Sequence, residues 1–335
     1  MTGKSDPRIG LMFAGAPAVP EMVRLAARAE KAGYESVWMA ETRMTRDGFI
    51  PLAAMASATE RIKLGTGIVN VYTRGAALLA LSFATLEELA PGRTIVGLGA
   101  GSPMVLAPQG FEWKRPLGRM REYIDVMRPL LRGESVTYAG RDVTLDDARI
   151  EDVLADDGSS VAGSDQLPLY LGVTGQKAVE LAGELADGVF YNVSLPTSYV
   201  DRAAGWIKIG ANRTQRSASD VDVAMSVLSC PDEDSSRGKA RAHEFICLYL
   251  SLFPNIARET GVDEDVVERT REAFNEGGVE AAVEVMPIEV VDLLAAAGTP
   301  SECQVRIDEY RAAGVDLPIL IALGDSIELA VDTLR

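Results

Sequence analysis

Three glycine-rich stretches that follow short apolar runs are the places in this chain where a ligand could be held. They cover residues 64–70 (LGTGIVN), 97–102 (GLGAGS) and 171–177 (LGVTGQK). Glycine inside a strand-like segment indicates a bulge or a close backbone approach, although an ordinary turn has the same composition. The third stretch leads from a strand into a helix. Free N–H groups at the helix start and the nearby Lys177 would suit a phosphate, and a plain glycine-containing strand–helix turn is the alternative.

The same sequence excludes several other kinds of chemistry. His243 is the only histidine, so a Ser-His-Asp triad, a multi-histidine metal site and most histidine-based acid–base schemes are excluded or weakened. Cys230, Cys247 and Cys303 are widely spaced, which argues against a disulfide framework and a zinc site and favours a reducing compartment. We therefore predict no metal, and a structural or surface position for His243.

The length, composition and charge of the chain limit the kinds of molecule that it is expected to bind. The chain has 335 residues, is 47% apolar and carries a formal net charge of −16, which disfavours nucleic acid and anionic membranes as partners. No run of 18 apolar residues occurs and residues 1–7 are polar, so neither a membrane span nor a secretory signal is indicated. These features predict a cytoplasmic protein that acts on a small-molecule substrate.

Strand-like apolar runs alternate with helix-like periodicity along the chain. The predicted strands are residues 9–13, 36–40, 62–66, 94–98, 167–172, 188–193, 222–229 and 317–322, and the predicted helices are 19–32, 51–59, 76–89, 115–131, 176–185, 198–212 and 326–334. This order predicts a (β/α)8 TIM barrel, because right-handed crossovers leave few other closures. A doubly wound open sheet is the alternative. In such barrels the active site lies at the carboxyl ends of the strands, where the glycine-rich stretches are found.

Two segments exceed ordinary loop length. Residues 103–166 follow the fourth strand and contain a helix and a polar tract at 156–160, and residues 231–299 follow the seventh strand and are predicted to be helical over 264–274 and 279–297. Insertions of this length after barrel strands are usually lids or substrate walls. No composition break requires a second domain, so we predict a single domain over residues 1–335.

The order of the motifs resembles the luciferase-like monooxygenase superfamily of flavin and deazaflavin oxidoreductases. Within it the chain is most similar to the coenzyme F420-dependent branch of the methylenetetrahydromethanopterin reductases. The motifs that carry the resemblance are residues 29–38 (AEKAGYESVW), 64–70, 86–89 (LEEL) with Gly92 and Arg93, 97–101, 168–172 (PLYLG) and 181–189 (LAGELADGV) with Asn192. Together they span most of the chain in the correct order.

The resemblance implies a cofactor site. It implies a non-proline cis peptide at Gly67–Ile68 that backs the central ring of the cofactor, and a cofactor phosphate or tail on the turn 172–176. Glu41 is the acidic position that meets the cofactor and the one weak catalytic candidate, and Arg74 is the basic residue favoured near the cofactor. The predicted cofactor-binding residues are Glu41, Gly67, Ile68, Asn70, Gly99, Gly101, Ser102, Gly172, Val173, Thr174, Gly175, Gln176 and Asn192.

Three positions depart from the proton-handling residues of the family. Thr42 stands where deazaflavin dehydrogenases commonly carry histidine, Ser102 where sugar-phosphate-oxidising relatives carry glutamate, and Met12 where methanopterin reductases carry glutamate. Met12 and Thr42, with Trp113 of the fourth-strand insertion, are the predicted substrate contacts. Because a strong acid or base is missing, an electrophilic C=N or C=C acceptor is favoured over an alcohol.

Two other functions remain open from the sequence. One is an FMN-dependent monooxygenase of the same superfamily, and the other is a catalytically silent flavin-binding paralogue. We also predict a homodimer built on the helices 51–59 and Ala76–Leu89, which are rich in alanine and leucine and poor in charge. Deep burial of these helices under the insertions is the alternative explanation of their composition.

Overall fold

The computed structural model describes residues 7–151 and 167–335, so the polar tract 156–160 lies outside the described residues. Its strands are β1 (Gly10–Phe13), β2 (Ser36–Met39), β3 (Lys63–Thr66), β4 (Val69–Asn70), β5 (Thr94–Gly99), β6 (Val136–Ala139), β7 (Thr144–Ala148), β8 (Leu169–Val173), β9 (Gly188–Tyr191), β10 (Asp222–Pro231), β11 (Ala296–Gly298) and β12 (Leu317–Ala322). Its helices are α1 (Val19–Lys31), α2 (Ile50–Ala56), α3 (Ala76–Leu89), α4 (Pro103–Leu106), α5 (Pro116–Leu131), α6 (Gln176–Leu185), α7 (Thr197–Arg213), α8 (Ser235–Leu252), α9 (Pro254–Ala257), α10 (Glu264–Val285), α11 (Val290–Leu294), α12 (Pro300–Ala312) and α13 (Ser326–Thr333).

Eight parallel strands close into a ring in the order β1, β2, β3, β5, β8, β9, β10, β12. The ring closes because β12 pairs with β1 (Gly10↔Ile319) and β10 pairs with both β9 and β12. The predicted (β/α)8 barrel is therefore confirmed, and the doubly wound alternative is wrong, since an open sheet would leave two unpaired edges. β5 and β12 are buried along their whole length, as expected for parallel strands covered by helices. Among the described residues, none of the helices combines the length and the apolar character needed to cross a bilayer.

The segment between β5 and β8 contains an antiparallel hairpin that the sequence did not predict. Besides α4 and α5 it holds β6 and β7, which pair only with each other. β7 has the sequence TLDDA and is mostly exposed, so it lacks the apolar alternation by which strands are predicted. A carboxylate of α5 holds the turn, because Glu122 accepts the N–H groups of Asp142 (2.7 Å) and Val143 (3.0 Å).

The segment between β10 and β12 is helical at first but differs from its prediction near the end. The predicted helix over 279–297 is confirmed only in part, because residues 279–285 belong to α10 and Val290–Leu294 form α11, whereas residues 286–289 and 295–297 are not helical. α10 ends at Val285 because Met286 precedes Pro287 and has an extended backbone with ψ of 125°, the conformation that a following proline favours. The alanine-rich residues of β11 then pair with the end of β10 (Ser229↔Ala296), so that strand pairing overrides their helix propensity.

One glycine lets two barrel strands approach closely beneath the site. A Cβ atom at Gly97 would lie 1.7 Å from the backbone oxygen of Thr66. The Thr66 side chain uses the same space, since its Oγ1 donates to the Gly97 oxygen (2.7 Å) and accepts from the Gly97 N–H (3.1 Å). The glycine in the middle of β5 is therefore required by the contact with the third strand.

An ion-pair cluster links the amino ends of several barrel strands, opposite the site. Arg8 donates to Glu35 (2.6 Å) and to Asp222 (2.7 Å), and Tyr170 also donates to Asp222. Burial alone would raise the pKa of both carboxyls, but the hydrogen bonds and charge of Arg8, together with Lys63 at Glu35 and Tyr170 at Asp222, outweigh it, so the pKa of each is lowered. The folded state therefore favours the ionised carboxylates.

Candidate functional site

A cavity of about 900 Å³ opens at the carboxyl ends of the barrel strands. Its walls include residues of the strand exits, of α5 and of α8. All of the residues predicted from the sequence line it: Met12, Glu41, Thr42, Gly67, Ile68, Asn70, Gly99, Gly101, Ser102, Trp113, Gly172, Val173, Thr174, Gly175, Gln176 and Asn192. The structure thus brings together positions far apart in the sequence, while their contact with a cofactor or substrate stays a prediction.

The floor of the cavity is formed by the bulge that joins β3 to β4. The predicted cis peptide at Gly67–Ile68 is present. β4 continues beyond the bulge and pairs with the end of β5 (Val69↔Leu98). Cβ atoms at Gly99 and Gly172 would lie 2.7 and 2.9 Å from side-chain atoms of Ile68. These two glycines are therefore needed to seat Ile68, a reason that the sequence did not reveal.

Two asparagines present fixed hydrogen-bond donors to the cavity. The Oδ1 of Asn70 accepts the N–H groups of Tyr72 (2.9 Å) and Thr73 (3.0 Å). The Oδ1 of Asn192 accepts the N–H of Val193 (2.8 Å) and the hydroxyl of Tyr249 (2.7 Å). Because each oxygen is committed to donors, each amide orientation is fixed. Neither amide nitrogen has a partner among residues 7–151 and 167–335, so both can donate to a bound molecule.

The carboxylate of Glu41 is already engaged. Its Oε2 accepts from the Arg74 guanidinium (2.6 Å) and its Oε1 from the N–H of Gly48 (3.2 Å). Arg74 also pairs with Asp47, and the side chains of Glu41 and Arg74 are only 15% and 20% exposed. Arg74 lies in a smaller neighbouring pocket of about 430 Å³ that Glu41 also lines. A carboxylate held by two donors in this way is suited to positioning neighbouring groups rather than to accepting or donating a proton during a reaction.

The turn from β8 into α6 has the geometry of an anion site. Gly175 precedes the first residue of α6, and no side chain caps the helix start. A Cβ atom at Gly175 would meet no atom within 4 Å, so there is open space beside the residue that precedes the helix. Tyr199 braces the turn from behind by donating to the Thr174 oxygen (2.6 Å). Helix N-termini favour negative charge, so the turn keeps the feature on which the predicted phosphate site depends, and binding of a phosphate here stays a prediction.

Ser102, Trp113 and Met12, which were also predicted, differ in whether their side chains have hydrogen-bond partners. The hydroxyl oxygen of Ser102 is buried and has no partner among the described residues. Trp113 donates to the Ala100 oxygen (2.9 Å) and is 42% exposed. The Met12 sulfur accepts a long contact from the Ser226 hydroxyl (3.5 Å). Ser102 therefore lines the cavity with a buried hydroxyl that has no hydrogen-bond partner among the described residues.

The sequence did not identify one whole wall of the cavity. Phe245, Leu248, Tyr249 and Leu252 of α8, with Phe253 just beyond it, line the side formed by the segment between β10 and β12. The aromatic spacing of four residues in this segment was the available signal. His243 lies on the same helix outside the cavity, is buried, and has its Nε2 2.9 Å from the Met286 oxygen, so its predicted structural position is confirmed.

The chain is similar to one family of known proteins along most of its length. The model of the luciferase-like monooxygenase family matches residues 6–317. The chain belongs to the luciferase-like monooxygenase family. The resemblance inferred from the motifs is thereby confirmed.

Several relatives within the luciferase-like family are named as coenzyme F420-dependent oxidoreductases. The chain is 32% identical over 91% of its length to the 5,10-methylenetetrahydromethanopterin reductase of Methanolobus tindarius, of which it covers 91%. It is 30% identical over 75% of its length to the F420-dependent glucose-6-phosphate dehydrogenase of Nakamurella multipartita, of which it covers 74%. The structure of the coenzyme F420-dependent tetrahydromethanopterin reductase from Methanopyrus kandleri matches 98% of this chain and 99% of its own, with a TM-score of 0.87 and 26% identity.

These relatives confirm two further predictions made from the sequence, namely an oxidoreductase and coenzyme F420 as its cofactor. They do not decide the substrate, because one relative is named for a pterin and another for a sugar phosphate. The choice between these substrate classes must therefore be argued from the cavity residues of this chain.

Proposed function

We propose that this protein is a coenzyme F420-dependent oxidoreductase that transfers a hydride between the deazaflavin and an electrophilic C=N or C=C bond, as in a methylenetetrahydropterin reductase. One observation carries the choice of acceptor. At the strand exits, Met12, Thr42 and Ser102 offer no strong acid or base, and the Glu41 carboxylate is held by Arg74. Alcohol oxidation requires a base for the hydroxyl proton, whereas an iminium or conjugated alkene accepts hydride without one.

The residues of the cavity suit the parts of this cofactor. When bound, the deazaflavin supplies a hydride donor or acceptor carbon at the centre of its ring. The apolar surface of Ile68 over the bulge would support a flat ring, and the amide nitrogens of Asn70 and Asn192 would donate to polar ring atoms. The turn at Gly175 would hold the phosphate. The task of these residues is to keep donor and acceptor carbons in contact and to exclude water.

Titration with each cofactor tests the proposal first. Purified protein is titrated with F420 and with FMN, with and without air. Reduced F420 is then offered 5,10-methylenetetrahydrofolate or an α,β-unsaturated ketone, and oxidised F420 is offered 2-propanol or glucose 6-phosphate. We expect F420 to bind and only the unsaturated acceptors to be reduced. Ordinary turnover of an alcohol or sugar phosphate would contradict the choice of acceptor. FMN binding with oxygen consumption would indicate a monooxygenase, and binding without turnover a silent paralogue.

We also propose a homodimer formed through α2 and α3. The side chains of Ile50 (70%), Leu78 (55%), Leu81 (42%) and Leu89 (46%) are exposed on these helices. This exposure argues against deep burial under the described parts of the insertions as the explanation of their composition. Exposed apolar side chains gathered on neighbouring helices are typical of a protein interface. Light scattering at micromolar concentration should give twice the chain mass of 35.8 kDa, and a monomer would contradict the proposal.

Two further proposals concern the chain as a whole. We infer a single domain over residues 1–335 in which 103–166 and 231–299 are insertions, and limited proteolysis that released a folded half would contradict it. We also infer a cytoplasmic location, which is supported by the buried free thiols of Cys230, Cys247 and Cys303. Fractionation of the producing cell with an antibody to the protein tests this location.

A further inference from the structure

α8 carries two apolar faces, and only one of them packs into the protein. Ala242, Ile246, Cys247 and Leu250 are completely or almost completely buried. Phe245, Leu248, Tyr249 and Leu252, at the spacing i, i+3, i+4 and i+7, are only partly buried and line the cavity. A helix that faces water on one side normally carries polar residues there. The second apolar face therefore points to a ligand whose surface is also apolar.

The aromatic rings of this wall are held in a defined arrangement. The rings of Phe245 and Tyr249 are stacked with centroids 5.3 Å apart and an interplanar angle of 13°. Phe253 follows at 4.5 Å from Tyr249 with an angle of 36°. The Tyr249 hydroxyl donates to Asn192, which fixes that ring from its far end. The wall is thus preorganised, which reduces the entropy that ring binding would otherwise lose.

The charged side chains that line the cavity do not belong to this aromatic wall. Among the described residues of the wall from Phe245 to Phe253, none that lines the cavity is charged. Lys177 and Glu180 belong to α6, next to the turn proposed for the phosphate, and Glu41 is paired with Arg74. Arg43, just after β2, also lines the cavity, and its charge acts on the Tyr249 hydroxyl. An ionic group of a substrate would therefore find no partner among the residues of the wall itself.

We propose that the wall formed by Phe245, Tyr249 and Phe253 binds an uncharged, planar aromatic group of the substrate, adjacent to the acceptor bond. This inference rests on the proposed function and names the substrate class of the same site. Aliphatic acceptors of equal size lack the ring faces and edges with which these side chains would stack. The three aromatic residues are then determinants of specificity.

A matched pair of ketones tests the proposal. The probes are 4-phenyl-3-buten-2-one and 4-cyclohexyl-3-buten-2-one, which share the acceptor bond and differ in whether the ring is aromatic. Dissociation constants are measured by calorimetry with oxidised F420 present, so that no turnover occurs. An aromatic pair contributes enough to favour the phenyl ketone by about 2- to 12-fold. Equal affinity for the two ketones, or no detectable binding of either at millimolar concentration, would overturn the proposal.

Substitutions in the aromatic wall test whether its residues cause the preference for the phenyl ketone. Phe245→Leu should reduce the preference for the phenyl ketone towards unity, and Tyr249→Phe, which keeps the ring, should retain it. Phe111→Leu is the control, since Phe111 is 40% exposed and does not line the cavity. If Phe245→Leu does not fold, Phe253→Leu replaces it. A preference that survives at both positions would overturn the assignment. Binding of the phenyl ketone without its reduction by reduced F420 would instead contradict the proposed function alone.

Discussion

Replacing Gly175 by aspartate should separate cofactor affinity from fold stability. Gly175 immediately precedes α6 with φ of −74° and ψ of 150°, which any residue adopts, and a Cβ atom there meets nothing within 4 Å. Aspartate is also a preferred residue at a helix N-cap, where it accepts from free N–H groups. Gly175→Asp should therefore leave the free energy of unfolding unchanged or slightly increased.

The same carboxylate should weaken binding of a phosphate at this turn. Two unit charges about 5 Å apart repel by about 3 kcal/mol at an effective dielectric constant near 20, and by about half of that where water screens them. We expect the dissociation constant of F420 to rise by about 10- to 200-fold, with a smaller rise at high salt. Fluorescence titration with F420 measures the affinity, and thermal denaturation measures stability.

Gly175→Asn is the matched control for charge. Asparagine has nearly the same shape and can cap the same N–H groups, so the difference between the two variants reports repulsion alone. Its affinity should lie close to that of the wild type and well above that of Gly175→Asp. If folded Gly175→Asp binds F420 as tightly as Gly175→Asn, the phosphate does not lie at this turn and the reasoning is refuted.

Three further changes have expected outcomes. Arg74→Met leaves the carboxylate of Glu41 without its partner and should lower the free energy of unfolding by about 1–3 kcal/mol in urea titrations. The double variant with Glu41→Gln should recover part of this loss, and no recovery would contradict the pairing. Gly97→Ala should destabilise the barrel by about 3 kcal/mol or more, because its Cβ would overlap a backbone oxygen at 1.7 Å, while Gly75→Ala, with open space, should cost less than about 1 kcal/mol. Arg8 lowers the pKa of its two carboxylate partners in the fold, so their contribution to stability is complete above the usual carboxyl range and is lost as pH falls below about 4. Arg8→Met should therefore reduce the loss of stability that the protein shows on acidification, and an unchanged stability–pH curve at low pH would argue against the cluster.

Much of the barrel could be predicted because its evidence is local. Each strand that is buried on both faces is a short apolar run, and each crossover helix has its own periodicity, so that neighbouring residues alone indicate the element. Glycine-rich exits such as 171–177 are equally local, since a strand followed by a helix start needs only a few residues. The resemblance of motifs added the cis peptide at Gly67–Ile68, which composition alone could not indicate.

Other features are set by contacts between distant residues, and the sequence did not reveal them. β11 forms only because β10 offers it a partner, and β6 and β7 form a hairpin although β7 is acidic. The predicted helix over 279–297 failed at residues 296–297 for the same reason, since pairing with a strand outweighs a weak local preference.

The sequence by itself determined the barrel and the glycine-rich exits, because these follow from residue type and short spacing, and its single histidine argues against histidine-based mechanisms. Only the tertiary structure decided which side chains share the cavity and how they are held. Glu41 is 33 residues from the Arg74 that engages it, and Asn192 is 57 residues from the Tyr249 that fixes it. Such partners meet only after the ring of strands has closed, so no local pattern can show that a carboxylate is paired or that an aromatic helix face lines a cavity.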